Sequence, residues 1–229
     1  MPRARPQGGP FPGPGPAAYN GPMSAAPPRV IFFSRLPEPG RVKTRLIPAL
    51  GAPGAARLQR RLGLRLWARL RELARKTPLE LELCFTGGSE EQARAWLGEG
   101  IACRSQGPGD LGRRMERALH RALAQGAPRA VLVGSDLPGL RGAHVAQALE
   151  ELERRGLVLG PSADGGYYLV GLARPAPGLL ERPHWEDLAA LSARAAALGL
   201  EPALLPALRD LDTPGDLAFW RDNDPGLLA

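Results

Sequence analysis

Cysteine is scarce in this 229-residue sequence. Cys84 and Cys103 are its two copies, and they have neither CxxC spacing nor the density of a disulfide scaffold. A stapled secreted mini-domain is excluded, and a cytoplasmic compartment is the expectation. Long apolar runs are also missing: nothing approaches the ~18 apolar residues of a spanning helix, which excludes an integral membrane protein of that kind. Arg3 and Arg5 are followed by no apolar stretch, so no cleaved signal peptide is expected. Lysine is nearly absent, with Lys43 and Lys76 the two lysines among 30 basic residues.

The net charge of +7 is local. Between positions 57 and 76 stand Arg57, Arg60, Arg61, Arg65, Arg69, Arg71, Arg75 and Lys76 against Glu72 alone. That excess equals the whole net charge, so the high isoelectric point reflects one helix face rather than a general affinity for nucleic acid. No series of aromatic residues is interleaved with these arginines, as single-strand binding requires, which argues against a nucleic-acid partner. A solvated arginine face is the plainer reading, and an anionic partner docking there the alternative.

Residues 1–28 contain nine prolines and five glycines and few large apolar side chains, so they read as a disordered extension. The rest, 29–229, reads as one domain. At this size it buries roughly 70% of its unfolded surface, enough for a single core. Short apolar runs alternate there with helical patterns. Val30-Ile31-Phe32-Phe33 is a buried strand; Leu58, Leu62, Leu66, Leu70 and Leu73 predict a helix over 54–76. Further strands are expected at 79–85 (with one wetter face), 101–104, 130–133, 157–159, 167–172 and 202–208. Helices are expected near 89–98, 110–125, 142–155, 186–198 and 214–222. Such alternation means an α/β domain on a largely parallel sheet. Its ligands belong beyond the carboxyl ends of the strands.

The loops leaving those ends are unusual. Residues 34–46 place Arg35, Arg41, Lys43 and Arg45 around Pro37, Pro39 and Gly40. Proline fixes the turn, Gly40 admits close backbone approach, and the cations suit a polyphosphate. It is not a Walker A loop, because Val42 stands where that motif requires glycine. Gln106-Gly107-Pro108-Gly109-Asp110-Leu111-Gly112 contains GxGxxG, but it follows the third strand, and Pro108 interrupts the turn a dinucleotide needs. A helix N-terminus near a nucleotide remains open. Asp136, Asp164, Asp210 and Asp212 end further segments at the same edge. Each alone suits a cap or turn. Carboxylates gathered beside a phosphate-binding loop instead need an intervening cation, and Mg²⁺ held by one or two carboxylates and phosphates fits.

Taken in order, VIFFSRLPEPGRVKTRLIPALG, SQGPGDLGRRM, VLVGSDLPGL, LGPSADGGYYLVGL and DLDTPGDL resemble the signature segments of a bacterial family of GT-A-like nucleotide-diphospho-sugar transferases, commonly labelled glycosyltransferases. The superfamily includes 2-phospholactate guanylyltransferase and the molybdenum cofactor guanylyltransferase. The resemblance spans about 29–222. It implies a three-layer α/β/α fold, Rossmann-like, with a mixed, mainly parallel sheet of about seven strands. It implies that Ser34, Arg35, Gly40, Arg41, Lys43 and Arg45 wrap the nucleotide phosphates. Gln106, Gly107, Gly109 and Asp110 would lie near the base and ribose. Asp136 and Asp212 would hold Mg²⁺ (or Mn²⁺), and Asp164, Gly165, Gly166 and Tyr167 would border a small-molecule acceptor. One departure is His184-Trp185-Glu186-Asp187, where the family has Trp followed by Ser or Thr.

The expected reaction is Mg-dependent transfer of a nucleotidyl group from an NTP to a small phosphorylated or hydroxyl acceptor, with release of pyrophosphate. Lys43 and Arg41 would stabilise the departing charge, and Asp164 would orient the acceptor or act as base. A nucleotide-sugar donor and glycosyl transfer is the alternative. A non-catalytic anion- or nucleic-acid-binding module using the 57–76 helix, and a dinucleotide oxidoreductase, are readings of other classes.

Overall fold

The computed structural model describes residues 26–227, so the 1–28 extension lies almost wholly outside the described residues. Strand β1 (Arg29–Arg35) grows from the expected apolar run, and its alternation decides the architecture. Val30 and Phe32 enter one core while Ile31 and Phe33 enter another. A strand buried on both faces needs a helical layer on each side.

Those layers follow in chain order. Helix α1 (Ile47–Lys76) leads to β2 (Glu80–Thr86), α2 (Glu90–Leu97), β3 (Ala102–Ser105), α3 (Leu111–Ala124) and β4 (Ala130–Val133). Then come α4 (Gly142–Glu151), β5 (Leu157–Pro161), β6 (Tyr167–Leu172), α5 (Leu188–Ala197), β7 (Ala203–Leu204) and α6 (Pro214–Asn223). The sheet runs β3-β2-β1-β4-β6-β5-β7. Strand β6 is antiparallel to β4 and β5, and every other pairing is parallel. Helices α1, α2 and α4 cover one face, and α3 and α5 the other. The fold is thus the three-layer, seven-stranded mixed α/β arrangement of GT-A-like proteins. No helix among the described residues is long and apolar enough to cross a membrane.

The strand order reverses between β1 and β4, whose carboxyl ends lie side by side. The β5–β6 hairpin turns at this same edge, because Pro161 at the end of β5 pairs with Tyr167 at the start of β6. A crevice at such a switch point is where an open α/β sheet takes its ligand.

Helix α1 is longer than the 54–76 expected, but Gly51 (φ 69°, ψ 161°) breaks its first turn, and the leucine stripe begins after that break. Leu58, Leu62, Leu66 and Leu70 are buried as the periodicity predicts. Gly63 sits under Trp96 of α2, where a Cβ would come within 2.1 Å of the indole.

Three sequence expectations change. The wetter face of β2 holds Glu82 at 4% exposure, neutralised by Arg121 and by Arg29 at 3.6 Å. Strand 202–208 shrinks to β7, since Pro202 and Pro206 have no N–H for a ladder; a lone bridge between Ser162 and Leu208 resumes beyond them. Helix 142–155 ends at Glu151, and its last residues close with tight turns from Glu153 to Glu150 and from Arg154 to Glu151. Cys84 and Cys103 are free thiols.

Candidate active site

A cavity of about 650 Å³ opens at the carboxyl ends of β1 and β4. Its walls come from the first loop, the start of α3, the loop after β4 and the outer residues of β6. The first loop is anchored by Val42 and Leu46, both buried, and Lys43 between them takes a left-handed backbone (φ 47°, ψ 41°). This turns its side chain inward to 2% exposure.

There the Lys43 ammonium meets both aspartates expected to hold the metal. Its Nζ lies 2.5 Å from Asp136 Oδ1 and 2.8 Å from Asp212 Oδ1, and it donates to the Leu211 carbonyl at 2.7 Å. Burial pulls the ammonium's pKa down, but the two carboxylates outweigh it and hold the group above the usual lysine value. Asp136 is fixed by β4, and the Leu211 N–H donates to its backbone carbonyl at 2.9 Å. Asp212 precedes α6, whose cap is Thr213 rather than Asp212. Two carboxylates converging on one cation, both still partly open to the cavity, form a donor set that fits Mg²⁺ or Mn²⁺ shared with substrate phosphates. Among the described residues no group of three or more His, Cys, Asp or Glu could hold a metal alone. Any ion here must take its remaining ligands from substrate and water.

The other cations of the first loop sit at the cavity wall. Arg35 donates to the Arg41 carbonyl at 3.0 Å, and Arg41 pairs with Glu38 at 3.3 Å. Arg45 has no carboxylate partner among the described residues. Gly40 is outside the wall, and a Cβ there would meet nothing; its φ of 77° is what requires glycine. So Gly40 shapes the loop through its backbone conformation.

The floor of the cavity is a polar cluster that sequence reasoning saw only in part. Ser34 and Ser135 hydroxyls stand 3.3 Å apart, and the Gln59 amide donates to both, at 3.2 and 2.9 Å. Ser135 in turn reaches Asp136 Oδ1 at 3.4 Å. Gln59, 4% exposed, was missed; its signal is a polar residue on the buried side of α1 between Ala55 and Leu62. Gln106 is equally buried and donates to the Ser34 and Cys84 carbonyls, tying the loop after β3 to the ends of β1 and β2.

The glycine-rich segment is built for packing and capping. Asp110 caps α3 by accepting from Arg113 N–H at 2.9 Å, and Gly109 and Asp110 reach the cavity while Gly107 does not. Gly112 has no room for a Cβ beside the Leu180 carbonyl and Trp185. Arg114 and Arg117 hold the loop through its carbonyls, and Arg114 also lines the cavity. Of the three glycines in the GxGxxG match, Gly112 serves helix packing, while Gly107 (φ 72°) and Gly109 (φ 107°) serve the turn before α3.

Tyr167 lines the cavity, whereas Asp164, Gly165 and Gly166 stand in the hairpin turn at the same edge, beyond the wall. Asp164 accepts from the Ser162 hydroxyl at 2.5 Å and the Gly166 N–H at 3.0 Å, bonds that hold its carboxyl below the usual range. Asp210 beside it is pushed up to about 6, by burial first and then by the Asp164 charge. In the departing 184–187 segment, Asp187 caps α5, Glu186 pairs with Arg182, and Trp185 packs on Gly112.

The arginines of α1 divide. Arg61 donates to the Leu227 carbonyl, Arg65 pairs with Asp224, and Arg69 holds the Pro138 and Leu140 carbonyls. Those three fasten other segments to the helix. Arg57, Arg60, Arg71 and Arg75 face solvent.

A provisionally named nucleotide-diphospho-sugar transferase from Desulfovibrio desulfuricans G20 is 33% identical, with a TM-score of 0.78 over 86% of this chain and 87% of its own. The fold is shared more distantly with 4-diphosphocytidyl-2C-methyl-D-erythritol synthase of Anaerococcus prevotii (10% identity, TM-score 0.55, 86% and 96% covered). It is shared too with CMP:2-keto-3-deoxy-manno-octonic acid synthetase complexed with CTP (12%, 0.50, 87% and 99%). No curated protein matches the chain. Residues 69–187 match the family described as uncharacterized protein conserved in bacteria (DUF2064), and the chain belongs to that family, with the fold of nucleotide-utilising transferases.

Proposed function

We propose that the 29–229 unit is a Mg-dependent nucleotidyltransferase that takes an NTP as donor and a small phosphorylated or hydroxyl molecule as acceptor. The observation that carries this reading is the meeting of Lys43, Asp136 and Asp212, three residues remote in sequence, at one cavity of nucleotide size. The triphosphate lies along the first loop, where Arg35, Arg41 and Arg45 take up charge that develops on the leaving pyrophosphate. Held by Asp136 and Asp212, Mg²⁺ (or Mn²⁺) supplies counter-charge to those phosphates. Gln106, Gly109 and Asp110 flank the nucleoside. The acceptor oxygen lies against Tyr167 and attacks the α-phosphorus as the bond to pyrophosphate breaks; a phosphate acceptor forms an anhydride, and a hydroxyl forms an ester with its proton passing to solvent. The Ser162 and Gly166 hydrogen bonds that hold the Asp164 carboxyl below the usual range make it a weak base, so it suits an orienting role better.

Glycosyl transfer from a nucleotide sugar is the second reading, favoured by the name of the 33% identical relative. The concentration of cations in the first loop favours the more highly charged triphosphate. Incubation with Mg²⁺ and a panel of NTPs and nucleotide sugars separates the two. Pyrophosphate is expected from an NTP; nucleoside diphosphate from a sugar donor, with no pyrophosphate from any NTP, would establish the second reading instead.

A further inference from the structure

We propose that Lys43 is the resident cation of the Asp136–Asp212 pair. It holds the place between the carboxylates in the metal-free protein, and a divalent ion loads readily only when nucleotide phosphates draw the ammonium away. The inference rests on the metal-and-nucleotide reading above and adds an order of loading to it.

Three observations lead there. All three N–H donors of the ammonium are engaged, by Asp136, Asp212 and the Leu211 carbonyl, so as placed Lys43 has nothing left to offer a phosphate. Its side chain is 2% exposed, yet the carboxylates flanking it are 44% and 37% exposed. All three line the cavity, but the carboxylates keep exposed surface while the ammonium is covered by the groups a metal would use. Finally, Lys43 is the one non-glycine residue with positive φ among the described residues. A side chain with a Cβ holds that conformation when its surroundings fix it, and here the ion pairs with both aspartates do so.

The charge balance gives the order. Two carboxylates and one ammonium sum to a single negative charge. Adding a divalent ion to the same oxygens while the ammonium stays brings two cations into contact in a partly buried place, which Coulomb repulsion opposes. The triphosphate supplies the missing negative charge and an acceptor for the released ammonium. Since Val42 and Leu46 are core residues, the movement is confined to the short stretch between them, which includes Arg45 at the cavity wall. Lys43 thus changes partner from carboxylate to phosphate during loading.

The test is Mn²⁺ binding to the nucleotide-free full chain, followed by paramagnetic resonance, for wild type, Lys43→Met and Asp136→Asn. Lys43→Met should bind Mn²⁺ about tenfold more tightly than wild type or better, because the competing cation is gone, while Asp136→Asn loses affinity. Equal affinity in wild type and Lys43→Met overturns the proposal. A second measurement uses the wild type alone and exploits its two lysines. Under limiting acetic anhydride, exposed Lys76 should be acetylated and Lys43 protected, with protection of Lys43 falling as Mn²⁺ is raised to saturation. Lys43 protected equally at every Mn²⁺ concentration that binds overturns the proposal and leaves the transferase reading intact. Mn²⁺ bound by no variant, with or without an NTP, overturns both.

Discussion

Gln59 occupies a position on α1 where a leucine would serve the helix equally well, between Ala55 and Leu62 and 4% exposed. What distinguishes it is the pair of hydroxyls it serves, Ser34 at the end of β1 and Ser135 after β4. Through Ser135 it reaches Asp136, so a helix side chain fixes where a carboxylate of the site stands. Gln59→Leu removes the amide that donates to both buried hydroxyls and leaves them only their long mutual contact, a loss of about 1–3 kcal/mol. It should lower kcat while the nucleotide KM stays near wild type, and urea denaturation should show the stability loss. A stability loss with unchanged kcat would assign Gln59 to folding alone. The seryl and glutamine groups carry no formal charge and belong to no motif, so their partnership was not legible in the sequence. The cations and aspartates could be singled out as candidates, because charge gathered beyond the carboxyl ends of strands lies where an open α/β sheet takes its ligand. That Lys43 and the two aspartates share one place was expected through the resemblance; what could not be read was the direct ion pair between them, since it joins residues far apart in the chain.

At the scale of elements, packing decides the sign of substitutions that propensity would misjudge. Gly→Ala within a helix normally stabilises by about 0.5–1 kcal/mol. At Gly63 the added Cβ would strike Trp96 at 2.1 Å, and Trp96 is itself held by its indole N–H to the Arg60 carbonyl and packed against Phe32. Gly63→Ala should therefore destabilise by about 1–3 kcal/mol, as overpacking does, and a lowered thermal midpoint checks it. The elements themselves were the most readable level. The leucine stripe of α1 and the β-branched runs of β1 and β4 announce their periods directly. Strand direction was less readable: nothing in Tyr167-Tyr168-Leu169-Val170 distinguishes the antiparallel β6 from its parallel neighbours. The family resemblance, and not the pattern, supplied a mixed sheet. Helix-to-segment ties such as Arg69 to the loop after β4 were invisible for a related reason. An arginine that fastens a carbonyl looks in sequence like one that meets water.

For the molecule as a whole, the basic excess of residues 57–76 is equal to the net charge of +7, and none of its arginines lines the cavity. Replacing exposed Arg57, Arg60, Arg71 and Arg75 with glutamine should leave turnover unchanged and move the thermal midpoint by no more than about 2 °C, since surface changes of this kind are small. Lost turnover would bring that face into substrate binding. The carboxyl-terminal stretch has a different weight. Arg61 and Arg65 clasp it through Leu227 and Asp224, and Leu211, Leu217 and Leu227 join Leu46, Leu58 and Leu62 in a small apolar cluster of their own. Asp212 reaches Lys43 from inside that clasp. During synthesis, then, most of the sheet can form while the carboxylate pair is still half made. A nascent chain brings Lys43 between both carboxylates only once the segment leading into α6 has emerged and docked.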